Sequence, residues 1–178
     1  SAYTDDTAMV FIFGDAVDRG EISVKEMVES ARTHNVPVFV DAAAERPDVP
    51  NWYLEQGVDA VAYSGGKCLR GPQVSGLVLG REDLLKAAFA NGCPNAAIGR
   101  PMKVGKEEIM GLLAAVEQWV RRDHQSEWKE WEKRLSVISD SLSEFDSVNT
   151  SIAQPGRSNV APCLFVSWDP AVVGIDGS

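Results

Sequence analysis

Four short apolar runs, at residues 8–13, 36–40, 58–63 and 77–79, constrain this chain more than any other feature. Each is closed by polar residues or glycine, the first by Gly14 and Asp15, the last bracketed by Gly76 and Gly80. Continuous apolar runs of this length read as strands buried on both faces. Between the first two, Ser23 is followed three residues later by Glu26, the capping-box form that starts a helix. Val24, Met27, Val28 and Ala31 then repeat at helical spacing as one apolar stripe. Residues 50–56 suit a short helix, with Pro50 in its first turn. Strand, helix, strand, helix, strand predicts an α/β fold with parallel strands and right-handed crossovers. Ligands of such sheets collect at the carboxyl ends of the strands. The second run leads into Asp41, and the third into Ser64, Gly65, Gly66 and Lys67, so both segments fall at that edge.

From Gly105 the pattern becomes that of a long helix, with Ile109, Leu112, Leu113, Val116 and Val120 along its first part. Trp128, Trp131, Leu135, Ile138 and Leu142 continue it at spacings of 3, 4, 3 and 4. The charges between them alternate in sign, Glu130 standing four residues before Arg134, as on a solvated face. Two readings fit this stripe, a coiled-coil dimer and a helix packed along its own protein. Gln154, Pro155, Gly156 and Arg157 break the pattern, and residues 163–168 start another strand. The expected division is 1–103 for a sheet domain, 104–146 for a helical segment between domains, and 147–178 for the start of a smaller α+β domain cut short after Asp176.

Composition narrows the classes. The 178 residues are 44% hydrophobic and 24% charged, which excludes general disorder. No apolar run approaches the roughly 18 residues that span a bilayer. A net charge of -9 argues against a broad nucleic-acid surface, while leaving room for a local basic patch. Cys68, Cys93 and Cys163 are odd in number and lack a C-x-x-C pair, which disfavours a disulfide frame or zinc cage and points to a reducing cytoplasm. The chain opens at Ser1 without a signal-peptide pattern, as expected of a processed or truncated chain.

The Gly65, Gly66, Lys67 sequence is not the end of a phosphate loop, because Val61 and Cys68 stand where that motif needs glycine and a hydroxyl residue. No dinucleotide fingerprint and no nucleophile elbow are present. His34 and His124 sit among charges in helical segments, where exposed surface histidines are expected. What remains is Asp41 and Lys67. They read as a structural ion pair or as the acid and amine of a pyridoxal phosphate site. Such a site needs a lysine to hold the aldehyde as a Schiff base and a carboxylate to keep the pyridine nitrogen protonated. Gly65 and Gly66 would let the backbone approach the cofactor, and Ser64 would offer its phosphate a hydroxyl.

Three stretches, residues 38–45, 63–73 and 99–108, resemble the bacterial selenocysteine synthase family and its relatives of the class V aminotransferase fold. The resemblance covers most of residues 8–170 and implies a fold-type I pyridoxal 5'-phosphate enzyme, of which this chain matches roughly the C-terminal half. The implied architecture is part of a three-layer, mostly parallel large-domain sheet, a long interdomain helix, and the start of a small α+β domain. By resemblance Lys67 is the Schiff-base lysine, Asp41 the partner of the pyridine nitrogen, and Ser64 and Gly66 further cofactor contacts. Arg70 and Gln73, in the loop after the lysine, are implied cofactor or substrate contacts. Arg100, Lys103 and Lys106 would meet an anionic substrate or serve as ordinary helix-start and surface residues. The implied reaction is Cα-proton abstraction with β-elimination or replacement. The net charge of -9, with Arg100 to Lys106 the only dense basic stretch, puts a small anionic amino substrate, such as an amino sugar acid, ahead of the RNA that the family label implies. The implied enzyme is a cytoplasmic homo-oligomer without membrane association. Selenium transfer to seryl-tRNA is the alternative, and an inactive fragment or interaction module is another. The ring-stacking and phosphate-cup residues of such enzymes are expected in a part absent from these 178 residues.

Overall fold

The computed structural model describes residues 2–14, 17, 19–157 and 160–175. Asp15 and Asp176, named above, lie outside the described residues. Two compact units result, Ser1–Arg121 and Arg122–Ser178.

The first unit is built on a four-stranded sheet in the order β1 (Val10–Phe13), β2 (Val38–Asp41), β3 (Ala60–Ser64), β4 (Gly76–Gly80). β1, β2 and β3 are parallel, whereas β4 returns antiparallel to β3. The sheet is therefore mostly parallel, as the strand–helix alternation predicts, with a reversed edge strand. The first crossover carries α1 (Val24–Thr33). Its capping box forms as read: Glu26 N–H donates to Ser23 Oγ at 3.2 Å, and Ser23 N–H donates to Glu26 Oε2 at 2.8 Å. Val24, Val28 and Ala31 are buried, and Asn35 closes the helix in the left-handed region at φ 56°. The second crossover carries a single helical turn, α2 (Trp52–Glu55), capped by Asn51. Pro50 consequently precedes the cap instead of opening the helix.

Registered residues share a face of the sheet. One face carries Ile12, Val38, Val40, Val61 and Tyr63, which form a single core with Val24, Val28 and Ala31 of α1 and Tyr53 of α2. The other carries Phe11, Phe13, Phe39, Asp41, Ala62 and Val78. That face is open around Phe11 (48% exposed), Phe13 (60%) and Val78 (43%). The expectation that the first run is buried on both faces is therefore corrected: β1 is an edge strand, and only Ile12 among its four residues is buried.

Two further helices follow, α3 (Glu82–Asn91) and α4 (Lys106–Arg121), with a short 3-10 turn at Arg100–Met102 between them. α3 has no buried residue and no side-chain cap, which is why no start signal marks it in the sequence. α4 buries Ala115 and Trp119, with Leu112 and Val116 packed on the core. Trp119 Nε1 donates to the Pro47 carbonyl at 2.8 Å. Ile109, Leu113 and Val120, read as part of the inner stripe, are instead 55, 52 and 62% exposed. The anchored Trp119 rotates the buried face away from them.

The single long helix expected from Gly105 is two helices. α4 ends at Arg121, and Asp123 caps α5 (His124–Leu142), accepting the Ser126 N–H at 3.0 Å. Asp123 is held below its ordinary pKa by that backbone bond and the Ser126 hydroxyl. In the second unit α5 lies against an antiparallel hairpin of β5 (Val148–Ala153) and β6 (Cys163–Trp168), joined to it by Ser139 Oγ and Thr150 Oγ1 at 2.6 Å. The packed-helix reading of α5 thus has its partner within the chain. α6 (Pro170–Val173) ends the described structure. No described helix is long and apolar enough to cross a membrane.

Candidate active site

Because β1, β2 and β3 are parallel, their carboxyl ends share one edge of the sheet. Asp41 is the last residue of β2, registered with Phe13 on one side and Ala62 on the other. Two residues past Ala62, on the same face, Ser64 ends β3, and Lys67 follows three residues later. The loops are tied together: Ala42 N–H donates to Ala62 O at 2.9 Å, and Ser64 N–H to Ala43 O at 3.4 Å. The structure therefore brings Asp41, Ser64 and Lys67 to one strand edge, as the sequence predicts.

Asp41 is half-buried, and its Oδ1 accepts the Ala43 N–H at 3.0 Å. That turn fixes the carboxylate and leaves Oδ2 without a hydrogen-bond donor among the described residues. Lys67 is exposed, and its amine has no hydrogen bond or ion pair with any described residue. A structural Asp41–Lys67 ion pair, the plainer reading of these two residues, is not formed. Ser64 is half-buried with its hydroxyl likewise uncommitted among the described residues.

The loop carrying the lysine is rigid by its own bonding. Gly65 N–H donates to Ser75 O at 2.9 Å, Gly71 N–H to Gly65 O at 2.7 Å, and Arg70 N–H to Lys67 O at 3.0 Å. Leu69, 1% exposed, anchors the loop in the core, so Lys67 faces outward two residues earlier. Gln73 Nε2 donates to Gly66 O at 3.2 Å. A Cβ on Gly66 would lie 2.5 Å from Gln73 Oε1 and 2.6 Å from Gln73 Cα; one on Gly65 would lie 2.0 Å from Ser75 Oγ. These contacts give the two glycines a structural reason within the loop itself. Their missing side chains make room for the loop's own return segment. Gln73 braces the loop through that bond, and Arg70, in the same loop, is in the left-handed region at φ 61°.

Arg100, Lys103 and Lys106 lie elsewhere in this unit. Arg100 Nη1 donates to the Pro94 carbonyl. Lys103 and Lys106 stand with Met102 and Ile109 along a cleft of about 920 Å³ between the end of α3 and the start of α4. No hydrogen bond or ion pair joins any of the three to Asp41 or Lys67 among the described residues. Of the histidines, His34 is exposed and stacks on Tyr3 at 4.5 Å between ring centroids, whereas His124 is half-buried and not the exposed residue expected. The three cysteines form no disulfide, and no cluster of metal-ligating side chains occurs, among the described residues.

Sequence reasoning passed over one group at this edge, the side chain of Glu45. It is 2% exposed, and Tyr53 donates its hydroxyl to Oε1 at 2.5 Å. A charged residue four positions after a strand-end acid is a weak signal; its buried partner eight residues later appears only in the fold.

Comparison with known proteins gives a consistent assignment. Residues 2–97 match the aminotransferase class-V family. The chain is 35% identical over 159 residues to a 5'-C-glycyluridine monooxygenase-decarboxylase of Streptomyces sp, covering 89% of this chain and 38% of that protein. It is 33% identical over 138 residues to the D-glucosaminate-6-phosphate ammonia lyase of Salmonella typhimurium strain 14028s, covering 78% and 35%. The solved structure of a D-glucosaminate-6-phosphate ammonia-lyase superposes with a TM-score of 0.73 at 26% identity, covering 98% of this chain and 45% of that one. L-seryl-tRNA(Sec) selenium transferases match over less: that of Geotalea daltonii is 34% identical over 77 residues, 36% of this chain and 16% of its own. The resemblance read from the motifs is thereby refined, since the lyase and the decarboxylase match more of the chain than the selenium transferases do. The matched part is less than half the length of each of these proteins.

Proposed function

The chain belongs to the aminotransferase class-V family, whose cofactor is pyridoxal 5'-phosphate, and on that premise we propose that Asp41 and Lys67 are the acid and amine of a lyase-type site. The substrate class is a small anionic amino compound. The residues fit the group: a fixed carboxylate at the end of β2 with one oxygen uncommitted, a hydroxyl at the end of β3, and in the loop after it an amine with no described partner. Lys67 would hold the cofactor through Nζ, Asp41 would face its ring nitrogen, and Ser64 with the backbone at Gly66 would lie toward its phosphate. When bound, this cofactor supplies an electron sink for negative charge developing at a substrate Cα.

The chain's own residues then have defined tasks. The Asp41 carboxylate, oriented by the Ala43 N–H, keeps a proton on the nitrogen it faces. The Lys67 amine, once displaced by the substrate amine, takes the Cα proton as a general base. Loss of a β-substituent completes an elimination. The single observation that carries this reading is the shared strand edge, where the Asp41–Ala62 register delivers both groups without pairing them to each other. The 35% identity to a decarboxylase favours a second reading, in which carboxylate rather than a proton leaves Cα; release of ammonia or of carbon dioxide separates the two. Transfer to seryl-tRNA has less support, because basic residues are interleaved with acids at a net charge of -9.

Borohydride reduction of the cofactor-loaded protein, followed by peptide mapping, tests the lysine. The pyridoxyl label is expected on Lys67 alone. A label on Lys86, Lys103 or Lys106 in its place would remove the assignment.

A further inference from the structure

Building on the reading of Asp41 and Lys67 above, we propose that Glu45 is a positioning residue of the cofactor site. Its bond with Tyr53 fixes the carboxyl ends of β1 and β2 behind Asp41. Glu45 N–H donates to Ala42 O at 2.9 Å, which folds the chain back one turn beyond Asp41. The carboxyl then turns inward, where only 2% of the residue is exposed. A Cβ on Gly14, the residue after β1, would lie 2.0 Å from Glu45 Oε1 and 2.9 Å from the Asp41 carbonyl. Glu45 therefore occupies the space between the ends of β1 and β2, and glycine at position 14 is what admits it.

The Tyr53 hydroxyl donates to Oε1 at 2.5 Å, at the short end for an O–H···O bond and characteristic of a carboxyl acceptor. Tyr53 is fully buried on α2. The cap of the same helix, Asn51, donates Nδ2 to Tyr63 Oη at 2.8 Å, and Tyr63 precedes the segment that carries Lys67. Two hydrogen bonds carried on one turn of helix, Tyr53 to Glu45 and Asn51 to Tyr63, thus tie the β1 and β2 ends and the strand that delivers the lysine to the same α2. Tyr63 lies on the sheet face opposite Asp41, so this set acts from behind and touches no reacting atom.

An apolar side chain would fill the Glu45 volume without the cost of desolvating a carboxyl. It would not bond Tyr53, and the loop after Asp41 would lose its tie to α2. Asp41 ends β2 and Lys67 lies in the loop after β3, and a misplacement near 1 Å is enough to spoil such a site. Retaining a buried acid at this position is the expected design where two loops must keep a fixed separation.

The test uses the complete protein, titrated as apoprotein with pyridoxal 5'-phosphate and followed by absorbance and by the visible circular dichroism of the bound cofactor. Tyr53→Phe and Glu45→Leu are expected to weaken cofactor binding about tenfold or more and to flatten the dichroic band, in keeping with one lost hydrogen bond to a buried carboxyl or hydroxyl. Glu45→Gln keeps an acceptor for Tyr53 and should stay within about threefold of wild type by the same reckoning. Should Glu45→Leu not fold, the contrast between Tyr53→Phe and Glu45→Gln carries the test. A lowered melting temperature in Tyr53→Phe with affinity and dichroism intact would reduce the pair to packing and overturn the proposal. Losses in Glu45→Gln as large as in Tyr53→Phe would overturn it as well, because the hydrogen bond would not be its basis. Lys67→Ala is the separate control: if it leaves binding and dichroism unchanged, the reading of the site itself fails, whatever Glu45 does.

Discussion

Asp41 and Lys67 are legible in the sequence because Asp41 directly follows an apolar run and Lys67 comes four residues after one, and the end of a parallel strand is a place defined by pattern alone. That the two do not form a plain ion pair is seen only in the structure, where the Lys67 amine has no described partner and Asp41 is held by the Ala43 N–H. The prediction at this scale is Asp41→Asn. Oδ1 would still accept the Ala43 N–H, so the turn and the shape survive, but a neutral amide cannot hold a ring-nitrogen proton as a carboxylate does. Cofactor should still bind in the complete protein, while exchange of the substrate Cα proton with solvent falls about 100-fold or more, the range typical of lost acid–base or electrostatic help. Wild-type exchange, followed by deuterium incorporation, would place the nitrogen partner elsewhere. Glu45 was not legible in the same way, because its meaning depends on Tyr53 and Gly14, which only folding brings to it. Gly66 was legible as a necessary glycine, but the neighbour that requires it, Gln73, was not.

Among the elements, the start of α1 could be read directly, since a capping box and an apolar stripe agree and both are local. β4 could be read as a strand but its reversal could not, for three apolar residues carry no direction. α3 and β5 escaped: the first buries nothing, and the second holds only Val148 and Ile152 as large apolar residues. The break between α4 and α5 was hidden because the apolar spacing continues across Asp123, whose capping bond is a three-dimensional fact. The strength of the α1 cap can be measured. Ser23→Ala removes the acceptor for the Glu26 N–H and should lower stability by about 1 kcal/mol, seen as a shifted urea midpoint. The Ser23 hydroxyl, and after it the Ser23 N–H, hold the Glu26 carboxyl below its ordinary pKa. A depressed folded-state pKa gives stability that is present above the ordinary carboxylate value and lost as pH falls through the lowered one. That acid-side loss should be smaller in Ser23→Ala than in wild type; equal losses would show that the Ser23 hydroxyl does not carry the effect.

At the scale of the whole chain, the sheet of the first unit is covered on one face and, among the described residues, open around Phe11, Phe13 and Val78 on the other. Mostly parallel sheets are ordinarily covered on both, and here the covered face holds the core of α1, α2 and Trp119. On the open face Phe11 stacks on Phe39 at 5.6 Å and meets Phe13 edge-on at 5.0 Å, an aromatic cluster with its outer side uncovered. The composition could not show this, because 44% hydrophobic residues is an ordinary content; the imbalance lies in their placement. Exposed apolar patches of this kind mark surfaces that associate. The 178-residue chain in isolation is therefore expected to bind a hydrophobic dye such as ANS and to elute above its 19.3 kDa monomer mass in size-exclusion chromatography. Replacing Phe11 and Phe13 together by serine should reduce both signals. It should cost little stability in this chain, within about 0.5 kcal/mol per site, as for residues that face solvent. A wild-type chain that runs as a dye-silent monomer would contradict the open face. A double variant that unfolds would contradict it equally, by showing that these two side chains already have a core to fill.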